Sequence, residues 1–150
     1  MTIVAWDQQI IAVDSLASLS GTTYAMRKWE LYTFYEDKHI LLITGNMAFG
    51  MQQMEWYKKG QAHEFPQAKE GEFGRLVVAT PHGVHWYEGT NGKLESIGRY
   101  MALGSGMDFA IGAFHHGATA IEAVQAACEH DEACGGAIVA FNYRTGERIQ

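Results

Sequence analysis

Thr2 is the residue of this chain whose type and position most directly offer chemistry. Cells normally trim a methionine that stands before so small a residue, and removal of Met1 would leave Thr2 with a hydroxyl and a free α-amine. A threonine hydroxyl is a poor nucleophile without a base beside it. An α-amine with an unperturbed pKa of about 7.7–8.0 can be that base near neutral pH. We therefore predict a nucleophile and its proton acceptor in one residue, the alternative being an ordinary chain start.

Three further residues could support that nucleophile. Asp14 ends the second predicted strand, where its carboxylate could orient the chain start or hold a cation. The ammonium of Lys28 would favour the alkoxide form of a nearby hydroxyl. Gly45 follows a buried strand, and its backbone N–H could stabilise an oxyanion. The alternatives are structural, with Asp14 as a strand-end cap and Lys28 as a solvated charge on a loop.

Two more polar residues stand at the ends of predicted helices. Ser105 lies in a Gly-Ser-Gly turn that opens a helix, and it could also be the N-cap of that helix. Asp131 follows the C-terminal end of the next helix, where the helix dipole disfavours a carboxylate. An acid in that place usually has another partner, although Asp131 could also be a polar helix stop. Both residues are therefore candidates for the site.

The hydrophobic pattern predicts the elements that must position these side chains. The predicted strands are 3–6, 10–13, 40–44, 76–80, 84–87, 93–97 and 137–142, with a hairpin turn at Asn91-Gly92. The predicted helices are 46–59, one that opens at 104–106 and runs to about 116, and 119–130, where Thr119 and Glu122 have capping-box spacing. Residues 15–24 and 60–74 are predicted loops. This order favours an α+β fold with mainly antiparallel sheets.

Composition limits the class of protein. The chain has 150 residues, 47% of them hydrophobic, which predicts one domain over 1–150 with a sizeable core. The net charge of −6 offers nothing to nucleic acid or to an anionic membrane. We expect a cytoplasmic protein, because no run is long enough to span a membrane and no leader pattern is present. Cys128 and Cys134 are expected to be free thiols, and no spacing argues for a metal.

Six short motifs together resemble a proteasome β-subunit and the peptidase subunit of its two-component bacterial relative. They are Met-Thr-Ile-Val-Ala-Trp-Asp at 1–7, Ala-Val-Asp at 12–14, Arg-Lys at 27–28, Ile-Thr-Gly at 43–45, Ala-Leu-Gly-Ser-Gly at 102–106 and His-Asp-x-x-Cys-Gly-Gly at 130–136. The likeness is greatest to the short bacterial and phage-encoded proteasome-like N-terminal nucleophile (Ntn) hydrolases. The motifs occur in family order and span nearly the whole chain.

The resemblance implies a four-layer αββα sandwich and a set of roles. Thr2 would be the nucleophile, Asp14 and Lys28 the acid and the lysine beside it, and Gly45 the oxyanion donor. Between Gly45 and Leu76 there is room for one helix where proteasome subunits usually have two. The fold is therefore expected to be trimmed by about one helix.

Further roles follow from the same resemblance. Ser105 and Asp131 would help to place the N-terminal amine and a proton-carrying water. Ser18 and Cys134 join Gly45 as candidates for oxyanion or substrate binding. Cys134 stands where family members usually have serine, and a thiol is the weaker hydrogen-bonding group.

The resulting prediction is a threonine-type peptide or amide hydrolase that needs no metal or organic cofactor. Its expected partners are peptides or unfolded proteins and further copies of itself in a ring, with any ATPase partner left open. Two alternatives share the fold: a catalytically silent assembly subunit, and a hydrolase of small amides.

Overall fold

A computed structural model describes residues 2–88 and 92–150 of the chain. Every strand pairing in this part is antiparallel. The strands are β1 Ile3–Trp6, β2 Ile10–Val13, β3 Leu16–Leu19, β4 Thr22–Ala25, β5 Trp29–Phe34, β6 Asp37–Gly45, β7 Gly74–Thr80, β8 Gly83–Glu88, β9 Gly92–Glu95, β10 Met101–Gly104 and β11 Val139–Asn142. The helices are α1 Met47–Lys58, α2 Met107–His115 and α3 Ala120–His130. The predicted mixture of helices and antiparallel sheets is confirmed.

The first sheet has the strand order β10-β1-β2-β11 and is buried on both faces. Side chains of a strand alternate between faces, so Ile3 and Ala5 pack with α2 and α3, while Val4 and Trp6 pack against the second sheet. Burial on both faces explains why β1 and β2 read as continuous apolar runs rather than alternating ones.

The second sheet has the order β5-β6-β7-β8-β9, and α1 packs on β6 and β7. The helix lies close to the sheet at Gly50, where a Cβ would overlap the side chain of Ile43. Gln53 is fully buried and fastens α1 to β7, since its amide oxygen accepts from the N–H of Leu76 at 3.0 Å. These contacts fix the start of α1 against the end of β6, where Gly45 lies.

A two-stranded ribbon, β3 and β4, occupies residues 16–25. The prediction of a loop over 15–24 is therefore wrong. The strands are joined at Ser20 and Gly21, which both adopt positive φ angles. Because β4 is exposed along its whole length, its sequence Thr-Thr-Tyr-Ala carries no apolar alternation from which a strand could be predicted.

The remaining predictions differ from the structure mostly at boundaries. Strands β5 and β10 were not predicted, because β5 is a half-exposed edge strand and β10 is only four residues long. Helix α3 begins with the predicted capping box, in which Thr119 and Glu122 exchange hydrogen bonds. The predicted turn residue Asn91 lies outside the described residues. Among the helices described, none is long and apolar enough to cross a membrane.

Candidate active site

Three polar side chains from distant parts of the sequence meet in the interior of the protein. The hydroxyl of Thr2 donates to Asp14 Oδ1 at 3.0 Å and accepts a hydrogen bond from Lys28 Nζ. Lys28 Nζ also forms an ion pair with Asp14 Oδ1 at 2.9 Å. The three residues are 1%, 1% and 2% exposed respectively. The structure therefore brings together the three residues that the sequence predicts at the centre of a site.

Both oxygens of Asp14 are occupied. Oδ1 also accepts from the backbone N–H of Ile3 at 3.2 Å, and Oδ2 accepts from the N–H of Gly135 at 3.0 Å. A buried ion pair has lost much of its hydration, and such a pair persists only where further hydrogen bonds satisfy its remaining atoms. The alternative of a solvated loop charge for Lys28 does not fit this burial, whereas Asp14 caps neighbouring backbone N–H groups as well as pairing with Lys28.

Each member of the cluster is fixed by neighbouring backbone. Thr2 precedes β1, and Asp14 directly follows β2, which pairs with β1 in register Val4 to Val13. Lys28 lies between the ribbon and β5, where its carbonyl accepts from the N–H of Ile43 at 2.9 Å. The antiparallel pair β1–β2 thus places Thr2 beside Asp14, and the pairing of β5 with β6 presents Lys28 to both.

The backbone of Thr2 is packed against the end of β10. Gly104 has a φ angle of +115°, and a Cβ at this position would overlap the carbonyl oxygen of Thr2. The same oxygen accepts from the N–H of Gly106 at 3.5 Å. Only glycine at 104 permits this approach, so the Gly-Ser-Gly turn holds the main chain of Thr2 in place.

Ser105, Cys134 and Asp131 form a second polar group. The Cys134 thiol lies 3.7 Å from the Ser105 hydroxyl and 3.4 Å from Asp131 Oδ2, while Asp131 Oδ1 accepts from the N–H of Ala133 at 2.9 Å. Ser105 is not the N-cap, because helix α2 begins at Met107 and its N-cap residue is Gly106, without a side-chain cap. The Cys134 thiol lies 3.0 Å from the position that a Cβ of Gly106 would occupy. The second polar group therefore packs against the turn beside Thr2.

Burial and hydrogen bonding shift the pKa values of this second group in opposite directions. Burial raises the pKa of the Cys134 thiol to about 12, helped by the negative charges of Asp14 and Asp131. For Asp131, burial alone would raise the pKa, yet hydrogen bonds from Ala133, Ser105 and Cys134 bring it below its ordinary value. At neutral pH the group therefore consists of a carboxylate with a protonated thiol beside it.

Two clefts open beside the Thr2–Asp14–Lys28 cluster, and Gly45 lines both. The first, which we call the Ser18 cleft, has a volume of about 180 Å³. Its walls are Ala17, Ser18, Lys28, Gly45, Asn46, Met47 and Ala48. The second, the Met107 cleft, has a volume of about 230 Å³. Its walls are Thr2, Thr44, Gly45, Phe73, Arg75, Gly104, Ser105 and Met107. The predicted candidates Ser18 and Gly45 thus line space that reaches the cluster.

Several residues of this region were not predicted from the sequence. Gly135 supplies a backbone donor to Asp14, and Gly104 supports Thr2, but glycine carries no side chain that would mark such a role. Gly45 has a φ angle of +82° and a Cβ there would overlap the Phe73 carbonyl, which explains why β6 ends with glycine.

Cys128 and Cys134 are both free thiols, and the described residues contain no group of His, Cys, Asp and Glu that could hold a metal.

No known family model matches the sequence, and no curated protein is detectably similar to it. Comparison of the fold is more informative. The Anbu complex from Pseudomonas aeruginosa, solved as a helical assembly, has a TM-score of 0.76 at 10% identity, over 100% of this chain and 87% of that one. HslV from Trypanosoma brucei has a TM-score of 0.69 at 15% identity, over 93% and 96% of the two chains.

A third structure, Thiobacillus denitrificans BPH in complex with epoxomicin, has a TM-score of 0.66 at 18% identity. The match covers 93% of this chain and 96% of that one. These identities are low, and the likeness concerns the fold. It agrees with the resemblance that the sequence motifs indicate, and the chain shares the fold of Anbu, HslV and BPH.

Proposed function

We propose that this protein is a threonine-type peptide hydrolase whose nucleophile is the Thr2 hydroxyl. The observation that carries the proposal is the buried contact of that hydroxyl with both Asp14 and Lys28. We further propose that the residue before Thr2 is removed, which frees the α-amine to act as the base. A nucleophile, a base and a charged partner then converge on one atom.

The reaction proceeds through an acyl ester. The Thr2 oxygen attacks the substrate carbonyl carbon, and its proton passes to the α-amine of the same residue. The resulting oxyanion is stabilised by the N–H of Gly45. The C–N bond then breaks, and the departing nitrogen takes the proton from the Thr2 ammonium. Water attacks the ester with the amine again as base, which releases the acid and restores the hydroxyl.

Lys28 and Asp14 support the nucleophile electrostatically. The Lys28 ammonium, in contact with the Thr2 oxygen, stabilises the negative charge that develops there as the proton leaves. Asp14 holds that ammonium in place and fixes the Thr2 backbone region through the Ile3 N–H. We assign Ser105, Asp131 and Cys134 to positioning of the α-amine and of the attacking water, and Ser18 to substrate binding.

The buried cluster favours an enzyme over a silent assembly subunit. A buried ion pair can often be replaced by apolar residues without loss of stability, so stability alone does not account for it. An ammonium in contact with a hydroxyl favours the alkoxide form that a nucleophile requires. A structural likeness to a BPH complex with epoxomicin is consistent with a peptide-like ligand at such a site.

Three broader statements belong to the same proposal. We propose that helices α2 and α3, the two sheets and α1 form the four layers of an αββα sandwich, because one core cluster lies between the sheets and one lies under each helical side. This is one domain, trimmed to a single helix between β6 and β7. We also propose a homo-oligomer, as the Pseudomonas aeruginosa Anbu complex is a helical assembly.

The test of the proposed activity is hydrolysis of unfolded casein, followed by mass spectrometry of the products and of the intact protein. We expect cleavage by protein that lacks Met1, and a loss of about 10³-fold or more in Thr2→Ala. Thr33→Ala, which alters an exposed threonine on β5, serves as the control and should keep wild-type activity. Cleavage that survives in Thr2→Ala would refute the proposed function, and so would an inactive protein that lacks Met1.

A further inference from the structure

The Met107 cleft and the Ser18 cleft differ in which part of Thr2 they approach. The Met107 cleft is lined by Thr2 itself together with Gly104 and Ser105, which belong to the turn that holds the Thr2 main chain. The Ser18 cleft is lined instead by Lys28, which contacts the Thr2 hydroxyl from its side-chain end. The Met107 cleft is therefore the one on the backbone side of the nucleophile.

The direction of a bound substrate follows from this asymmetry and rests on the proposed function. The nitrogen that leaves must take its proton from the Thr2 α-amine, so it has to lie within hydrogen-bonding distance of the Thr2 backbone nitrogen. The departing half of the substrate then occupies the cleft beside that backbone. The acyl half remains bonded to the Thr2 oxygen and extends toward the Ser18 cleft.

The walls of the Met107 cleft indicate what it would accept. Phe73 and Met107 are 56% and 42% exposed, although both are large apolar side chains. The guanidinium of Arg75 stacks on the Phe73 ring at 4.5 Å from its centroid, and Arg75 Nε is paired with Glu88 at 2.5 Å. Because that cation already has a carboxylate partner, the accessible walls offer mainly apolar contact.

Thr44 also lines the cleft, but it is 1% exposed and its hydroxyl is buried. It therefore adds almost no polar surface to the wall, and Phe73 and Met107 remain the large apolar side chains that a ligand would contact.

We propose that the Met107 cleft binds the first residue after the scissile bond and selects an apolar side chain there. The occupant is the new amino terminus of the departing peptide, and the substrate is a chain that extends on both sides of the cleaved bond. The occupant needs a side chain on the leaving-group side of the cleaved bond, so an amide that releases only ammonia or a short amine would leave the cleft empty.

The experiment compares peptides that differ only in the residue after one scissile bond. The bond is chosen from the casein fragments that wild-type protein produces, and synthetic peptides then carry Leu, Gly or Glu after it. We expect kcat/KM for the Leu peptide to exceed that for the Gly peptide on the order of tenfold, the range that apolar contacts give in substrate discrimination. The Glu peptide should be no better than the Gly peptide.

Met107→Ala and Phe73→Ala should each reduce the Leu-to-Gly ratio severalfold. Leu94→Ala is the matched control, since Leu94 is a similarly exposed apolar residue on β9 and lines neither cleft. The ratio compares two substrates on one protein sample, so a change in the folded fraction cancels. Met107→Gln keeps the length of the side chain but ends it in a polar amide, so it should also reduce the Leu-to-Gly ratio.

The outcomes separate this inference from the proposed function. A Leu-to-Gly ratio near one in the wild type, or an unchanged ratio in both alanine variants, would overturn the subsite while peptide cleavage still supports the enzyme. Protein that cleaves no peptide and takes no covalent label at Thr2 would overturn the proposed function, and the subsite with it.

Discussion

The Thr2 hydroxyl is held from two sides, since it donates to Asp14 and accepts from Lys28. The two contacts fix the position of the Thr2 oxygen. In the proposed reaction its proton must turn from Asp14 to the freed α-amine. The ion pair that holds it is inaccessible to solvent, so screening by salt is weak. Substitutions in this cluster should therefore change the balance of buried charge as well as the proposed catalysis.

Lys28→Met should both abolish hydrolysis and destabilise the protein. Removal of one partner leaves the Asp14 carboxylate buried without its cation, which costs about 3–5 kcal/mol in the free energy of unfolding. Urea unfolding measures this change. Lys58→Met removes the partner of Glu30 and Glu55 at a more exposed site, and should cost at most about 1 kcal/mol.

A double variant distinguishes charge balance from packing in this experiment. Asp14→Asn with Lys28→Met carries no buried charge, and should be more stable than the sum of the two single changes predicts. Additive losses would contradict the account of the cluster as a coupled ion pair. The double variant should remain inactive, because stability alone does not restore the catalytic charges.

At the scale of secondary-structure elements, the end of β10 and the start of α2 hold the main chain of Thr2. The contact depends on the absence of a side chain at Gly104. Helix α2 then continues with Gly112, which has open space around it. The two glycines therefore offer a direct comparison between a functional and a permissive position.

Gly104→Ala should strongly reduce the rate of peptide hydrolysis, because a Cβ at this position would overlap the Thr2 carbonyl. It should also lower the free energy of unfolding by about 1–3 kcal/mol, because a φ angle of +115° is strained for alanine. Gly112→Ala should instead raise the free energy of unfolding by up to about 1 kcal/mol, as expected inside a helix. Equal effects of the two substitutions on hydrolysis would argue against a role for Gly104 at Thr2.

Burial of His85 on β8 should make the stability of the protein depend on pH. Burial lowers the pKa of His85 to about 4, with the Lys93 cation and His39 in the same direction and Glu95 opposing. Burial also lowers the pKa of His39, which hydrogen-bonds to the Tyr57 hydroxyl at 2.8 Å. Both rings are therefore neutral in the folded protein near neutral pH.

Since the unfolded chain binds protons to His85 at higher pH than the folded chain does, stability should fall as the pH is lowered from about 6.5 toward about 4. His85→Gln should flatten the dependence of Tm on pH across this window. His63→Gln, at an exposed position, is the control and should keep the wild-type slope. An unchanged slope in His85→Gln would contradict the proposed burial of a neutral imidazole.

The scale of elements also shows what can be predicted from this sequence. The cluster of Thr2, Asp14 and Lys28 is predicted from six short motifs in family order, since each of these residues taken alone has an ordinary structural alternative. The ribbon β3–β4 is not predicted, because its strands are held by mutual backbone pairing rather than by burial of an apolar face. Phe73 and Met107 are not predicted either, since the sequence does not distinguish an apolar residue that lines a cleft from one that packs in a core.

At the scale of the whole molecule, several large apolar side chains are exposed on the surface of the isolated chain. Tyr35 and Ile97 are 88% and 98% exposed in the isolated chain, and Leu31 and Phe34 are exposed on the edge strand β5. Burial of such side chains against neighbouring copies would stabilise an assembly. This agrees with the low proportion of charged residues, which is 19%.

We therefore expect light scattering with size-exclusion chromatography to give a mass that is a multiple of the 16.7 kDa chain. Dilution should shift the mass downward if the contacts are reversible, because association depends on concentration. A mass of one chain at every concentration tested would contradict the proposed assembly. That result would not bear on the proposed reaction at Thr2.

The central claim is that the hydroxyl and the freed amine of Thr2 act together, and covalent labelling tests it most directly. Wild-type protein and Thr2→Ala are treated with a peptide epoxyketone, and the adduct is located by mass spectrometry of proteolytic fragments. We predict one adduct per chain, on a Thr2 from which Met1 has been removed, and none in Thr2→Ala. An adduct on another residue, or a trimmed Thr2 that stays unmodified, would contradict the account.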